Sequence, residues 1–468
     1  MSRATTSLPS SEHLKTWEAD LDLAKRVLHL SNQLAQRAVR LSISGLSFLH
    51  WSPTDFLRRF DHFVQHNQVA LQDVIEALEF LAASSLAQAN LNQIEFDLLD
   101  LLKATKVQAA PAWDQAIQNR WSVARPVVLF GFGRIGRLLA RILSEQAPNH
   151  AFYLAAIVVR GQDAGDLAKR IRLFNQDSVH GAFSGVVKQH PDKPAMLING
   201  QEVLVIYADD PAKVDYETHG IKDALVVDNT GKWRDAEGLG LHLQSPGASQ
   251  VLLTAPGKGD VPNIVFGLNH QKFARDSAVL SAASCTTNAI CPVLSVMDQA
   301  FSLEYGHVET IHAYTNDQNL LDNYHKADRR GRSAALNMVI TETGAARAVA
   351  KVLPHLGSKL SGNAIRVPVP DVSLAILKLD LARSVTREAV NQTIKQAVID
   401  LTLNGQLGFS DNPDAVSADF IGTHYAALVD LQATIVHGKH VVLYVWYDNE
   451  YGYSVQLLRL IKYLSSTN

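Results

Sequence analysis

Val127-Val128-Leu129-Phe130-Gly131-Phe132-Gly133-Arg134-Ile135-Gly136 decides how the chain folds. Four apolar residues run straight into G-x-G-x-x-G, and a helical pattern from Arg137 to Leu143 follows. Strand, glycine turn and helix in that order open a dinucleotide-binding unit. Gly131 permits the sharp reversal, Gly133 lets a pyrophosphate approach the backbone, and Gly136 lets the helix pack on the strand. The helix start offers unpaired N–H groups and partial positive charge to phosphates. Phe132, Arg134 and Ile135 complete the turn as candidate cofactor contacts.

The texture on either side agrees. Further apolar runs, Tyr153 to Val159, Ala224 to Asp228 and Gln250 to Thr254, alternate with helical segments, which predicts a parallel sheet with crossover helices. Beyond Cys285 the runs lengthen and alternate: Val308 to Tyr314, Ala375 to Leu381 and His440 to Tyr447. That pattern predicts an antiparallel sheet with one face covered. Tyr453 to Leu464 is periodic and helical. The expected fold is an α/β Rossmann-type dinucleotide-binding domain (121–284 and 450–468) plus an α+β catalytic domain with a mainly antiparallel sheet (285–449). An extra all-α segment (1–120) precedes them.

Only one of the chain's 27 glycines, Gly45, falls in that first segment. Leu23, Val27, Leu30 and Leu34 form one helical stripe, and Leu71, Val74, Ile75, Leu78 and Leu81 another. Ser52-Pro53-Thr54-Asp55 has the form of a helix start. A third helix is expected after Asn90, carrying Ile94, Leu98, Leu101 and Leu102, and Val107 to Pro111 reads as a linker. The segment carries no recognisable chemistry and suits a packing or oligomerisation module.

The chain has 468 residues, 47% hydrophobic and 19% charged, with a net charge of −3. That length suggests two or three domains, and the charge gives no footprint for nucleic acid or an acidic membrane surface. No apolar run is long enough to span a bilayer. Cys285 and Cys291 are the only cysteines, so neither a disulfide framework nor a multi-thiolate metal site is expected, and no metal is assigned. Free thiols suit the cytoplasm. Met1 to Ser11 is Ser/Thr-rich, but Glu12, Glu18, Asp20 and Asp22 follow, unlike an acid-poor transit peptide.

An acid at the tip of the second strand usually holds the adenosine ribose. That strand ends Val158-Val159-Arg160-Gly161. An acid repels a 2′-phosphate and an arginine binds one, so Arg160 favours NADP, or use of both cofactors, over strict NAD. In the alternative reading Arg160 points to solvent and Asp163 or Asp166 contributes.

Ser281-Ala-Ala-Ser-Cys285-Thr-Thr-Asn288 is a small, hydroxyl-rich stretch leading into a helical segment. A cysteine at a helix start is placed to act as a nucleophile, because helix N–H groups favour the thiolate. The same N–H groups and hydroxyls hold an oxyanion or a phosphate. A base is required, and His312 lies on an expected strand 27 positions later, but nothing local separates it from the other histidines among the chain's 18.

Five motifs in order supply what the residues alone leave open: Gly131-Phe-Gly-Arg-Ile-Gly-Arg137, Ala283-Ser-Cys-Thr-Thr-Asn288, His312-Ala-Tyr-Thr315, Thr343-Gly-Ala-Ala346 and Trp446-Tyr-Asp-Asn-Glu-Tyr-Gly-Tyr453. From about Val127 onward the chain resembles the phosphorylating glyceraldehyde-3-phosphate dehydrogenase family. The resemblance implies that Cys285 forms a thiohemiacetal with the aldehyde and that His312 activates the thiol and assists hydride departure. The resulting thioester is then attacked by inorganic phosphate. It further implies a substrate-phosphate site at Thr315 and Arg366, and an inorganic-phosphate site at Ser284, Thr286, Arg330, Thr343 and Gly344. Asn449 would hold the nicotinamide carboxamide of NAD or NADP, with Tyr453 nearby and Thr230 and Thr254 as further cofactor contacts. A homotetramer follows by the same resemblance, with the loop Asp317 to Asn337 reaching a neighbouring subunit.

Departures from the family pattern are Ala289 where a second cysteine is usual, Phe130 where an asparagine precedes the glycine turn, the missing ribose acid, and the first 120 residues. Two rivals share the scaffold: an erythrose-4-phosphate dehydrogenase, and a non-enzymatic interaction protein. The latter predicts loss of Cys285, His312 or a phosphate-site arginine, and none is lost.

Overall fold

Val127 to Phe130 lie within the strand Arg125–Phe130, in the middle of an eight-stranded sheet. Its strands run, in spatial order, Val279–Ser281, Ala248–Leu253, Ala224–Asp228, Arg125–Phe130, Phe152–Val159, Gln201–Tyr207, Ala195–Ile198 and Val187–Gln189. The first six are mutually parallel, and the last two form an antiparallel flap. Fully buried parallel strands need apolar residues on both faces, and Val127, Val128, Leu129, Val226, Val227, Val251 and Leu252 have no exposed surface. The first strand in sequence sits between the second and Ala224–Asp228, so the strand order reverses beside it. Ligands of open α/β sheets bind at such a switch point, off the carboxyl ends of the strands.

The computed structural model describes residues 11–36, 39–43, 46–47, 52–54, 56–57, 60, 70–83, 94–97, 124–145, 152–161, 165–273, 277–341, 344–399, 403 and 405–465. Two compact units divide the chain between Val123 and Ala124.

A second eight-stranded sheet of the larger unit follows Cys285. Its main path is Val339–Thr341, Leu360–Val367, Leu303–Ala313, Ser373–Leu381, His440–Tyr447, Ala427–Asp430 and Leu407–Ser410, with Ile435–His437 added beside His440–Tyr447. Most pairs are antiparallel; Leu303–Ala313 with Leu360–Val367, and Leu407–Ser410 with Ala427–Asp430, are parallel. The alternation in Ser373–Leu381 puts Ala375, Leu377, Leu379 and Leu381 on the covered face. Against that face packs the helix Cys285–Phe301 through Ala289, Ile290, Val293, Leu294 and Met297. The helix Tyr451–Ser465 ends the unit.

The smaller unit holds the helices Ser11–Gln36 and Leu71–Ala83, whose stripes bury Val27, Leu34, Val74, Ile75, Leu78 and Leu81. Pro53 and Thr54 are helical, and the Phe56 N–H donates to the Ser52 carbonyl at 2.9 Å. One expectation fails here: Ile94–Asp97 is a strand, not a helix, and pairs in parallel with Val39–Ile43, which also pairs with Leu46–Ser47. Ile-Glu-Phe-Asp alternates apolar and acidic residues with period two, a strand pattern hidden by the longer leucine spacing after it. The segment is thus helical with a small sheet rather than all-α. Leu98, Leu101, Leu102 and the linker Val107 to Pro111 lie outside the described residues.

Candidate active site

The glycine turn is built as its spacing requires. Gly131 has φ +100° and donates its N–H to the Val158 carbonyl at 2.9 Å. A Cβ on Gly136 would collide with the Gly131 carbonyl, whereas a Cβ on Gly133 would meet nothing within 4 Å. The first fact explains helix packed on strand. The second leaves a cradle at the start of the helix Arg134–Glu145, open to a pyrophosphate. Phe132 stacks on Phe174, and Ile135 is half-buried. Arg134 turns its side chain away, bonding Asp177 at 3.0 and 3.2 Å and Glu450 through Nε at 2.5 Å, so only its backbone remains for a cofactor.

Asp228 organises the strand tips beside the cradle. One carboxylate oxygen accepts from both the N–H and the hydroxyl of Thr230, each at 2.7 Å. The other lies 3.0 Å from His242 Nε2, and its carbonyl accepts from Thr254 N and Oγ1 at 3.0 and 3.1 Å. Phe130 meets the rings of His242 and Trp233 edge-on, giving an aromatic residue a packing role at that position. Asn449 is buried, and its Oδ1 accepts from the Ser373 hydroxyl at 2.7 Å. That fixes the amide with its NH2 left to donate to a carboxamide oxygen. Cradle, threonines and oriented amide together fit a nicotinamide dinucleotide.

Arg160 is exposed at its strand tip, and Arg170 Nη2 donates to its carbonyl at 2.8 Å. Of the two alternative acids, Asp166 is bound by Arg170 at 2.6 Å, and Asp163 lies outside the described residues. Asp209, exposed just beyond the tip of the neighbouring strand Gln201–Tyr207, brings a carboxylate that strand spacing did not flag.

Cys285 is the first residue of its helix. Ser284 is the N-cap and its hydroxyl accepts from Thr287 N at 3.0 Å, satisfying one free donor of the first turn. Asn288 Nδ2 donates to the Ala282 and Ser284 carbonyls, both at 2.9 Å. Ala283 stands at φ +56°, left-handed for a residue with a side chain. The Tyr453 hydroxyl donates to its carbonyl at 2.9 Å, so Tyr453 acts here as a brace on the nucleophile loop.

His312 occupies the penultimate position of Leu303–Ala313, directly across from Arg366. Its Nε2 is 3.6 Å from Cys285 Sγ. Nδ1 lies 2.7 Å from the Ala313 carbonyl, which also accepts from Arg366 Nη1 at 2.7 Å; that nitrogen sits 2.9 Å from Nδ1. With Nδ1–H given to Ala313, the Nε2 lone pair faces sulfur. Burial, followed by the Arg366 charge, pulls His312 down to about 3. Burial pushes the Cys285 thiol up, opposed by Arg366 and by bonds to Thr286. Both shifts favour the uncharged thiol and imidazole over the ion pair, and the base is placed to take the proton as sulfur attacks.

The anion residues converge on the same end of the sheet. Arg366 Nη1 also donates to Thr315 Oγ1 at 3.3 Å, and Asp317 bonds both Thr315 and Arg330. Asp317 therefore stands among the cationic and hydroxyl groups assigned to phosphates, a neighbour the motif reading passed over although it lies two positions from Thr315. Thr286 Oγ1 is 3.1 Å from Tyr447 OH, and Ser284 Oγ 2.7 Å from Thr287 Oγ1. Gly344 caps the helix Ala345–Val352 and is exposed, while Thr343 lies outside the described residues. Ser373 and Tyr447 were missed as well: each sits on a β-strand with no local sign of its partner. Cys291 is fully buried in the core, pushed up by burial.

Comparison with known proteins agrees with this geometry. Residues 125–236 match the family model for the glyceraldehyde 3-phosphate dehydrogenase NAD binding domain, and residues 284–449 that for its C-terminal domain. A glyceraldehyde-3-phosphate dehydrogenase-like protein of Pseudomonas aeruginosa is 54% identical over 73% of this chain and 74% of its own. Glyceraldehyde-3-phosphate dehydrogenase of Zymomonas mobilis is 38% identical over 74% of this chain and all of its own. A chloroplastic form from Zea mays is 40% identical over 71% of this chain and 81% of its own.

Proposed function

The chain belongs to the glyceraldehyde-3-phosphate dehydrogenase family, and on that premise we propose how its own residues carry out the reaction. The enzyme converts glyceraldehyde 3-phosphate, inorganic phosphate and NAD or NADP reversibly to 1,3-bisphosphoglycerate and the reduced cofactor, by way of a cysteine thioester. Cys285 Sγ adds to the aldehyde carbon while its proton passes through His312 Nε2 to the carbonyl oxygen, giving a thiohemiacetal. His312 then takes that hydroxyl proton back as the carbon–hydrogen bond breaks and the thioester forms. A bound nicotinamide supplies the hydride acceptor. Phosphate oxygen attacks the thioester carbon, and the sulfur leaves with the proton returned from His312. N–H groups at the start of the Cys285 helix stabilise the oxyanion of each addition.

Thr315 and Arg366 hold the substrate phosphate in this reading. Arg330, Ser284, Thr286, Thr343 and Gly344 hold the attacking phosphate, displacing Asp317 from the arginine. Gly131 to Gly136, Thr230, Thr254, Asn449 and Tyr453 hold or border the cofactor. Arg160, with Asp209 just beyond the tip of the neighbouring strand, favours dual use: the arginine pairs with a 2′-phosphate and the acid with a free ribose. Residues 121–284 with 450–468 serve as the nucleotide domain and 285–449 as the catalytic domain. The loop from Leu320 to Met338 and the edge strand Val339–Thr341 that follows expose Leu320, Leu321, Tyr324, Leu336, Met338 and Ile340, an apolar set that supports a homotetramer. Among the described residues no helix is long and apolar enough to cross a membrane, and two free cysteines suit a cytoplasmic enzyme.

The observation that carries the reading is Cys285 Sγ 3.6 Å from His312 Nε2 with Arg366 behind the imidazole. Steady-state rates with glyceraldehyde 3-phosphate, phosphate and either cofactor test it. Cofactor reduction that requires phosphate is expected, and its absence rejects the assignment. Faster turnover of erythrose 4-phosphate would move the substrate to the rival aldehyde.

A further inference from the structure

Asp371 lies in the turn between Leu360–Val367 and Ser373–Leu381, with its side chain wholly buried. Neither carboxylate oxygen has a side-chain donor in hydrogen-bonding geometry among the described residues, and the Val372 N–H is the backbone donor set against it. Oxygens of Asp371 and Asp448 and a ring nitrogen of His180 lie within 4.8 Å of one another. A buried acid so poorly supplied with donors is costly to keep ionised.

Neighbouring nitrogen donors do not resolve this. His180 Nε2 is 3.4 Å from Asp371 but closer, 3.1 Å, to Glu450. Arg134, from the first turn of its helix, is divided between Glu450 and Asp177. The remaining groups facing Asp371 are Asp448 and Glu450, both acids. Asp448 Oδ1 already accepts from the N–H groups of Glu450 and Tyr451 at 2.9 and 2.6 Å, and Oδ2 from Gly422 at 2.7 Å. A carboxylate offers about four acceptor directions, so Asp448 has room for one further donor, which a single O–H fills.

We propose that Asp371 is a positioning residue, a neutral carboxylic acid whose O–H is donated to Asp448 and so joins the two segments that orient the nicotinamide amide. On one side Asp371 is followed by Val372, at φ +61°, and then Ser373. On the other Asp448 is followed by Asn449, which accepts from the Ser373 hydroxyl. The carboxyl pair is a second bond between the same two segments, and it holds a β-branched residue in a left-handed conformation it otherwise avoids. Burial, with the charges of Asp448 and Glu450, pushes Asp371 up to about 9, the direction a retained proton requires. The role rests on the reading of Asn449 as the carboxamide-holding residue.

Asp371→Asn and Asp371→Ala in the full chain test it. The folded protein keeps a proton that the unfolded chain releases above the ordinary carboxylate range. Wild-type stability therefore falls as pH rises from about 4 towards about 9. Asparagine carries its donor at every pH, so the melting-temperature advantage of Asp371→Asn should widen by several degrees between pH 5 and 8. A difference that stays flat with pH overturns the shared proton. So does a stoichiometric divalent metal found in the purified wild type and lost in Asp371→Asn. Direct titration with NAD and NADP should show Asp371→Ala weakening Kd by about tenfold and Asp371→Asn restoring it to within about twofold; wild-type affinity in Asp371→Ala overturns the positioning role. Neither readout needs turnover, so both decide the matter even if phosphate-dependent reduction fails.

Discussion

Two buried titratable pockets lie on either side of Ser373, and they are tuned in opposite directions. The Ser373 hydroxyl accepts from the Ala313 N–H at 3.1 Å, on the strand of His312, and donates to Asn449, next to Asp448. Towards His312 burial, seconded by the Arg366 charge, keeps a proton off the imidazole. Towards Asp371 the excess is negative, and it keeps a proton on a carboxyl. Burial penalises whichever form is charged in both places; the sign of the neighbours completes the tuning. A single hydroxyl separates a pocket that moves protons from one that stores one.

The comparison breaks most completely at sulfur. Cys285→Ser should abolish turnover while cofactor titration stays as in the wild type, since the thiol and not the crevice is lost; residual catalysis near wild-type level would reject the proton-moving pocket altogether. His312→Asn should cost about 10²- to 10⁴-fold in kcat, the usual worth of a positioned base, measured under saturating substrates. Arg366→Gln probes the sign of the neighbours. It should lower kcat/KM for the phosphorylated aldehyde by about 10- to 100-fold, as loss of a charge-assisted bond predicts. It should also raise the His312 pKa, read by NMR of the imidazole, because a cation that lowers it is gone. An unmoved imidazole would show that burial alone sets the base. Smallest is Ser373→Ala, which uncouples the two pockets and should weaken cofactor binding by about threefold to tenfold with little change in kcat.

The order in which features became legible follows the range of the interactions behind them. The glycine turn declared itself because strand, turn and helix are adjacent in sequence, and a Cβ at Gly136 has no space. The cysteine declared itself through its own helix start. His312 needed the family motifs, since its partner Arg366 is 54 positions away and arrives only by strand pairing. Ser373 and Asp371 lie in no local pattern, and Tyr447, although inside the Trp446 to Tyr453 motif, shows no role there, as each is defined by a neighbour dozens of residues off. In the smaller unit, Ile94–Asp97 was misread because four residues of alternation were outweighed by a longer leucine rhythm, and parallel pairing with Val39–Ile43 won. Arg134 matched the motif, yet Asp177 and Glu450 claim its side chain.

The bond from the Tyr453 hydroxyl to the Ala283 carbonyl spans 170 positions. During translation the thiol is therefore made early and armed late. A ribosome that has just finished Cys285 has yet to build the ring that holds its loop left-handed, and the helix bearing that ring appears only after the whole second sheet has been threaded out. An unfinished chain carries the sulfur without this brace, so the left-handed turn at Ala283 gains its support only when the last helix has been made.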